Sequence, residues 1–192
     1  MNDKQISDFL EMGSISKPSR NPPKSPLSPE KLKQQMSNWA NVIRPREYPY
    51  LFKNAEAFKQ FKSLMRGLLG KYRVLEGKIV VQGSSLRTPN AKDVDVAVFV
   101  SDEVFAQYAQ RCRDGIDTRA SNRAKKKLLA NLEREIERGY ISKFNIDRLP
   151  EAPRVAFGDE VNRLIETPFG IETDVSVMKQ SSYLALYPFL EF

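Results

Sequence analysis

Residues 79–100 read Ile79-Val80-Val81-Gln82-Gly83-Ser84-Ser85-Leu86-Arg87-Thr88-Pro89-Asn90-Ala91-Lys92-Asp93-Val94-Asp95-Val96-Ala97-Val98-Phe99-Val100. An apolar run from Ile79 to Val81 stops at Gly83-Ser84, and a short polar loop follows. A second apolar run then carries Asp93-Val94-Asp95 and continues to Val100. The pattern predicts two strands joined by a loop that opens on a glycine. On a strand, Asp93 and Asp95 project from one face, because side chains alternate with a period of two. Two carboxylates side by side repel and are costly to keep ionised. A bound divalent cation is the usual resolution. Mg²⁺ is held by one or two protein carboxylates, with substrate phosphates completing its shell.

A third acid lies far along the chain. In Ile171-Glu172-Thr173-Asp174-Val175-Ser176-Val177-Met178, a predicted strand, Val175 and Val177 share one face while Glu172, Asp174 and Ser176 share the other. An unpaired carboxylate in an apolar strand is expensive. If this strand lies beside the Asp93–Asp95 strand, Asp174 completes a three-carboxylate cluster. The alternatives are that Asp174 caps a turn or pairs with a lysine. Glu172 is the backup ligand and reads more simply as a solvent-facing residue.

Gly83-Ser84, a spacer, Asp93-x-Asp95 on the next strand and a third carboxylate on a later strand resemble the nucleotidyltransferase superfamily, the polymerase-β-like fold. Arg87-Thr88 is similar to the stretch seen in minimal nucleotidyltransferases and in cyclic-oligonucleotide synthases. The likeness is close over residues 79–100 and loose from there to the third strand. It implies an α/β (α+β) fold, a small mixed sheet flanked by helices, here with an N-terminal helical and proline-rich extension. It also implies a reaction: transfer of NMP from an NTP to an acceptor hydroxyl, with two Mg²⁺ ions (Mn²⁺ as a substitute). In that scheme Asp93 and Asp95 bind both metals, and Asp174 binds the nucleophile-side metal and helps take the hydroxyl proton. Gly83 lets the backbone approach phosphate, and Ser84 donates its hydroxyl and N–H to the β- and γ-phosphates. Arg87 and Lys92, in the loop, are candidate triphosphate contacts.

Composition narrows the chemistry. With no histidine and one cysteine, Cys112, Ser-His-Asp and Cys-His machinery is excluded, and a structural zinc site is not expected. Acid–base work must fall to carboxylates, lysine, tyrosine or metal-bound water. No run approaches the ~20 apolar residues that span a bilayer, and Met1 to Leu10 lacks the apolar segment of a signal peptide. No membrane partner and a cytoplasmic location are therefore expected. The net charge of +7 favours a polyanionic partner, with plain solubility charge as the alternative.

The 192 residues suffice for one domain plus extensions. Residues 14–29 hold five of the twelve prolines and read as an extended arm, so we expect a flexible arm over 1–30 and a single domain over 31–192. Ser28-Pro29-Glu30 predicts a helix start, with the helix ending near Val42, before Pro45. Ala55 to Leu69 predicts an amphipathic helix with Phe58, Phe61, Leu64, Met65 and Leu68 on one face, closed by Gly70. Asp102 opens another helix, which Asp114-Gly115 is expected to break. A long charged helix is expected over Asp117–Arg138, with Leu128, Leu132 and Ile136 as its buried stripe. Residues 141–157 read as mostly irregular with a short strand over 154–157, and Asp159–Glu166 as a short helix. Residues 167–170 read as a turn, and the apolar tail 183–192 as packed on the core.

The charged helix supplies a second candidate region. Arg119, Arg123, Lys126 and Lys127 fall on roughly one side and would suit a phosphate backbone; a solvated face is the alternative reading. Together these features predict a small, non-templated nucleotidyltransferase acting on RNA, a tRNA end being the favoured acceptor. By size and architecture it is similar to bacterial toxin modules, which implies an acidic antitoxin or immunity protein as partner. Protein AMPylation and a catalytically inactive nucleic-acid or protein-binding module are the alternatives.

Overall fold

The computed structural model describes residues 28–150, 152–153, 155–185 and 188–192. Nearly all of the expected proline-rich arm therefore lies outside the described residues. The chain forms a five-stranded mixed sheet flanked by helices, in the order β3-β4-β2-β1-β5. The strands are β1 (Lys78–Gln82), β2 (Asp93–Val100), β3 (Tyr140–Ser142), β4 (Glu172–Lys179) and β5 (Leu190–Glu191). β2 runs antiparallel to β1 and parallel to β4. Among the described residues no helix is long and apolar enough to cross a membrane.

Alternation decides which face of the sheet does what. Ile79, Val81, Val94, Val96, Val98, Val100, Val175 and Val177 are buried in the main core beneath the helices. The opposite face carries a second, smaller cluster of Val80, Ala97, Phe99 and Met178, covered by Tyr140, Leu184 and Phe189. Of the tail expected to pack on the core, Leu184, Phe189, Leu190 and Phe192 do so and Tyr183 is exposed, and β5 extends the sheet by pairing with β1. That cover spans only part of the face. Asp93, Asp95 and Asp174 share it by periodicity and remain half-buried at its other end.

The first helix, α1 (Pro29–Asn38), is capped by Ser28, whose Oγ accepts from Lys31 N at 3.4 Å. It does not end before Pro45. It runs on through a π-helical turn (Trp39–Ile43) into a last turn (Arg44–Arg46), and Glu47 then adopts a left-handed φ of 61°. Proline within an α-helix lacks an N–H and clashes with the carbonyl four residues back. The π turn changes the hydrogen-bond frame, so that Pro45 falls at the start of a new turn, where no N–H is needed. Pro168 is accommodated in the same way. The helix α6 (Phe157–Val161) continues through a π turn (Asn162–Glu166) into α7 (Thr167–Phe169) and closes on Gly170 at φ 66°. The expected short helix and turn are one continuous helical stretch.

Helix α2 (Ala55–Lys71) presents Phe58, Phe61, Met65, Leu68 and Leu69 to the core, whereas Leu64 is exposed. Gly70 lies inside the helix rather than closing it. The next helix, α3 (Asp102–Arg119), passes straight through Gly115. A Cβ at that position would lie 1.5 Å from the carbonyl oxygen of Arg148, so this glycine serves close packing and not a break. The charged helix is consequently shorter than expected: α4 (Asn122–Glu137) starts after Ser121, and Gly139 ends the segment at φ 77°. Within 141–157, β3 and α5 (Lys143–Ile146) replace the irregular segment. Of the strand expected over 154–157, residue 154 lies outside the described residues and the described residues 155–157 form none, since Phe157 begins α6.

Candidate functional site

The site begins with register. Asp95 stands opposite Gln82 of β1 on one side and opposite Asp174 of β4 on the other. One carboxylate oxygen from each of Asp93, Asp95 and Asp174 can be chosen so that all three lie within 4.8 Å of one another. The donors are oxygen only, which suits a hard cation. Ligand oxygens across an octahedral ion at ~2.1 Å lie up to about 4.2 Å apart, so a small inward movement closes the set around Mg²⁺. The three acids therefore fit a divalent ion. Glu172, opposite Asp93, is exposed and stays outside this group.

The loop after β1 is built around this cluster. Gly83 has φ 86°, and a Cβ there would sit 2.1 Å from Asp95 Oδ2. Only a residue without a side chain lets the backbone turn over the carboxylate at this distance. A 3-10 turn (Ser84–Leu86) follows, and the Ser84 carbonyl accepts from the N–H groups of Arg87 and Thr88, both at 2.9 Å. Two features brace the loop from outside. Asn38 of α1 donates to Arg87 O at 2.8 Å, and Ser85 O accepts from Tyr50 N at 3.0 Å. The N-terminal helix is thus part of the site's scaffold, and its Trp39 and Ile43 belong to the main core.

The expected phosphate contacts separate. Arg87 is largely buried; desolvation lowers its guanidinium pKa, opposed by the charge of Asp95. Its Nε has no hydrogen-bond partner among the described residues. Lys92 is exposed, in the loop just before β2. Arg123, Lys126 and Lys127 are all exposed on α4, while Arg119 belongs to α3 and does not share that helix.

One site residue carried no signal in the sequence. Lys143, the first residue of α5, donates to Thr173 O at 2.8 Å and places Nζ 3.5 Å from Glu166 Oε1 and 3.8 Å from Asp174 Oδ1. Glu166 in turn accepts from Thr173 N at 2.9 Å. Lys143 lies in the stretch read as irregular, and only the β3–β4 pairing brings it to the acid. A lysine partner for Asp174 is thus present, yet it coexists with the cluster. Cys112 is no nucleophile: it is buried, its thiol donates to Asn145 O at 3.3 Å, and burial pushes its pKa up to about 12. No family model, curated protein or solved structure matches the chain.

Proposed function

We propose that the protein is a metal-dependent nucleotidyltransferase that moves NMP from an NTP to an acceptor hydroxyl. One observation carries this reading: three carboxylates from adjacent parallel strands converge beside a Gly-Ser turn that passes over one of them. The acceptor oxygen attacks the α-phosphorus, the bond to pyrophosphate breaks, and the hydroxyl proton leaves toward a carboxylate. A divalent cation held by Asp93, Asp95 and Asp174 would lower the hydroxyl pKa and offset charge on the departing pyrophosphate. The chain's own groups do the rest. The Ser84–Leu86 turn offers backbone and hydroxyl donors to phosphate. The buried Arg87 guanidinium supplies fixed positive charge beside Asp95. In this reading Asp174, whose Oδ1 lies 3.8 Å from Lys143 Nζ, receives the proton. The net charge of +7 favours RNA as acceptor.

The test is a panel of α-labelled NTPs with MgCl₂ and total RNA, wild type beside Asp95→Asn. Label entering RNA with wild type alone is the expected result. Label entering protein instead would move the acceptor to a side-chain hydroxyl. No transfer to either would overturn the reading in favour of a binding module.

A further inference from the structure

A cavity of about 340 Å³ opens between α4, β3 and α5. Its size falls at the lower end of the ~300–1,000 Å³ typical of ligand pockets. Arg134, Arg138 and Arg148 line it, together with the rings of Tyr140 and Phe144. Among the described residues the only acid in the lining is Glu135, whose carboxylate accepts from Ser142 N and Ser142 Oγ at 2.8 Å and from Asn145 Nδ2 at 2.9 Å. Glu135 is thus engaged in ordering the β3–α5 corner, and the described residues of the lining keep an excess of two positive charges. Arg148 Nε is buried there without a hydrogen-bond partner among the described residues. Phe144 is 66% exposed, the most exposed large apolar side chain among the described residues.

Two further features adjoin residues of this lining. Along α4 and its C-cap residue, Arg123, Lys127, Arg134 and Arg138 are spaced by four, seven and four residues. At ~100° per residue they fall within an arc of about 60°, a stripe roughly 22 Å long. Toward the acids, Lys143 Nζ lies 5.9 Å from the Phe144 ring centroid and 3.8 Å from Asp174 Oδ1. Phe144 is thus next in sequence to the lysine that contacts Asp174.

We propose that this cavity and the basic stripe of α4 form a binding site for single-stranded nucleic acid. The stripe takes phosphates and the Phe144 and Tyr140 rings take an unstacked base. That the bound strand is the acceptor of the transfer rests on the function proposed above. Arginine recognises phosphate through paired N–H groups, and exposed rings give sequence-tolerant stacking. A duplex keeps its bases paired and stacked and gains nothing from the rings.

The test is fluorescence anisotropy with a labelled 12-nucleotide mixed-sequence RNA strand, in EDTA, so that binding is read without chemistry. Arg134→Ala/Arg138→Ala and Phe144→Ala alter surface residues, and unchanged circular dichroism and Tm verify their fold. The double variant should weaken binding at least tenfold and reduce the salt slope by about 1.4, roughly 0.7 per lost cation. Phe144→Ala should weaken it about tenfold, and Asp95→Asn should bind as tightly as wild type. The proposal fails if wild type does not bind, if the folded variants bind equally well, or if a duplex of the same sequence competes as strongly. Binding lost in the variants with no NMP transfer in the wild type would keep the strand site and remove the transferase reading. Transfer to RNA with binding unaffected by these variants would do the reverse.

Discussion

Lys143 Nζ stands 3.8 Å from Asp174 Oδ1, so a fixed cation sits against the carboxylate cluster where a metal ion would compete with it. At an effective dielectric near 20, charges this close interact by several kcal/mol, less where water reaches them, as it does at the partly exposed Asp174. Lys143→Met should therefore tighten cation binding about tenfold, while the loss of its bond to Thr173 O lowers stability by about 1 kcal/mol. Isothermal titration with MnCl₂ and urea unfolding measure the two effects separately. Weaker cation binding in the variant would show that Lys143 organises the acids instead of competing.

Asp95 and Asp174 face each other across β2 and β4 without the help of local sequence. Mg²⁺ at about a hundred times its Kd should stabilise the wild type by about 2.7 kcal/mol, raising Tm by roughly 5–10 °C. Asp174→Asn should abolish most of this shift and NMP transfer with it, yet change the stability of the metal-free protein by less than about 1 kcal/mol, since relief of the repulsion from Asp95 offsets the lost attraction of Lys143. Differential scanning fluorimetry in EDTA and in MgCl₂ checks both halves. An equal Mg²⁺ shift in the variant would remove Asp174 from the metal site.

Gly83→Ala places a Cβ at φ 86° and against Asp95 Oδ2. The strain is of the order of 1–3 kcal/mol, and it is relieved by displacing the carboxylate. The expected variant folds with a Tm lower by roughly 5 °C, loses its Mg²⁺ shift, and transfers NMP at least a hundredfold more slowly. Gly158→Ala is the matched control, because nothing lies within 4 Å of a Cβ there.

Glu160 carries the pH dependence of the helical layer. Its buried carboxylate accepts from Lys71 Nζ at 2.6 Å, Tyr72 OH at 3.1 Å and Arg163 Nη2 at 3.3 Å. The Lys71 hydrogen bond leads in holding its pKa below the ordinary value, against the opposing effect of burial. A carboxyl depressed in the folded state contributes stability that is complete above its unfolded pKa of ~4.3 and is lost as pH falls through the folded value. Glu160→Gln should cost about 1–3 kcal/mol at pH 7. The gap to wild type should close as pH drops below about 4. Urea titrations across that range measure it. A gap that is constant with pH would assign the loss to packing.

Much of the fold and site was legible locally. Two apolar runs marked Ile79 to Val81 and the stretch through Val100 as strands, alternation marked Ile171 to Met178 as a third, and a serine, proline and acid in sequence marked the start of α1. The period of two along a strand then put Asp93 and Asp95 on one face and Asp174 on the polar face of its strand. Elements set by contacts distant in sequence were not legible. Gly115 reads as a helix breaker until the carbonyl of Arg148 is found against it. Pro45 reads as a terminus until the π turn before it supplies a new frame. β3 is three residues long and has no periodicity to display, so Tyr140–Ser142 becomes a strand only by pairing with Ser176–Met178.

The sequence by itself determined what each segment offers: a glycine turn between two strands, two acids on one face, a third acid in a later strand, and no histidine to share the chemistry. Spacing and residue type act over a few bonds, and they suffice for that. Tertiary structure alone decided what those segments meet. Parallel pairing of β2 with β4 set Asp174 opposite Asp95, and the return of β3 carried Lys143 to them and left Phe144 exposed. Such encounters depend on how the valine faces of the sheet bury against the helices. That is a property of the whole packed core, and no local stretch of the chain encodes it.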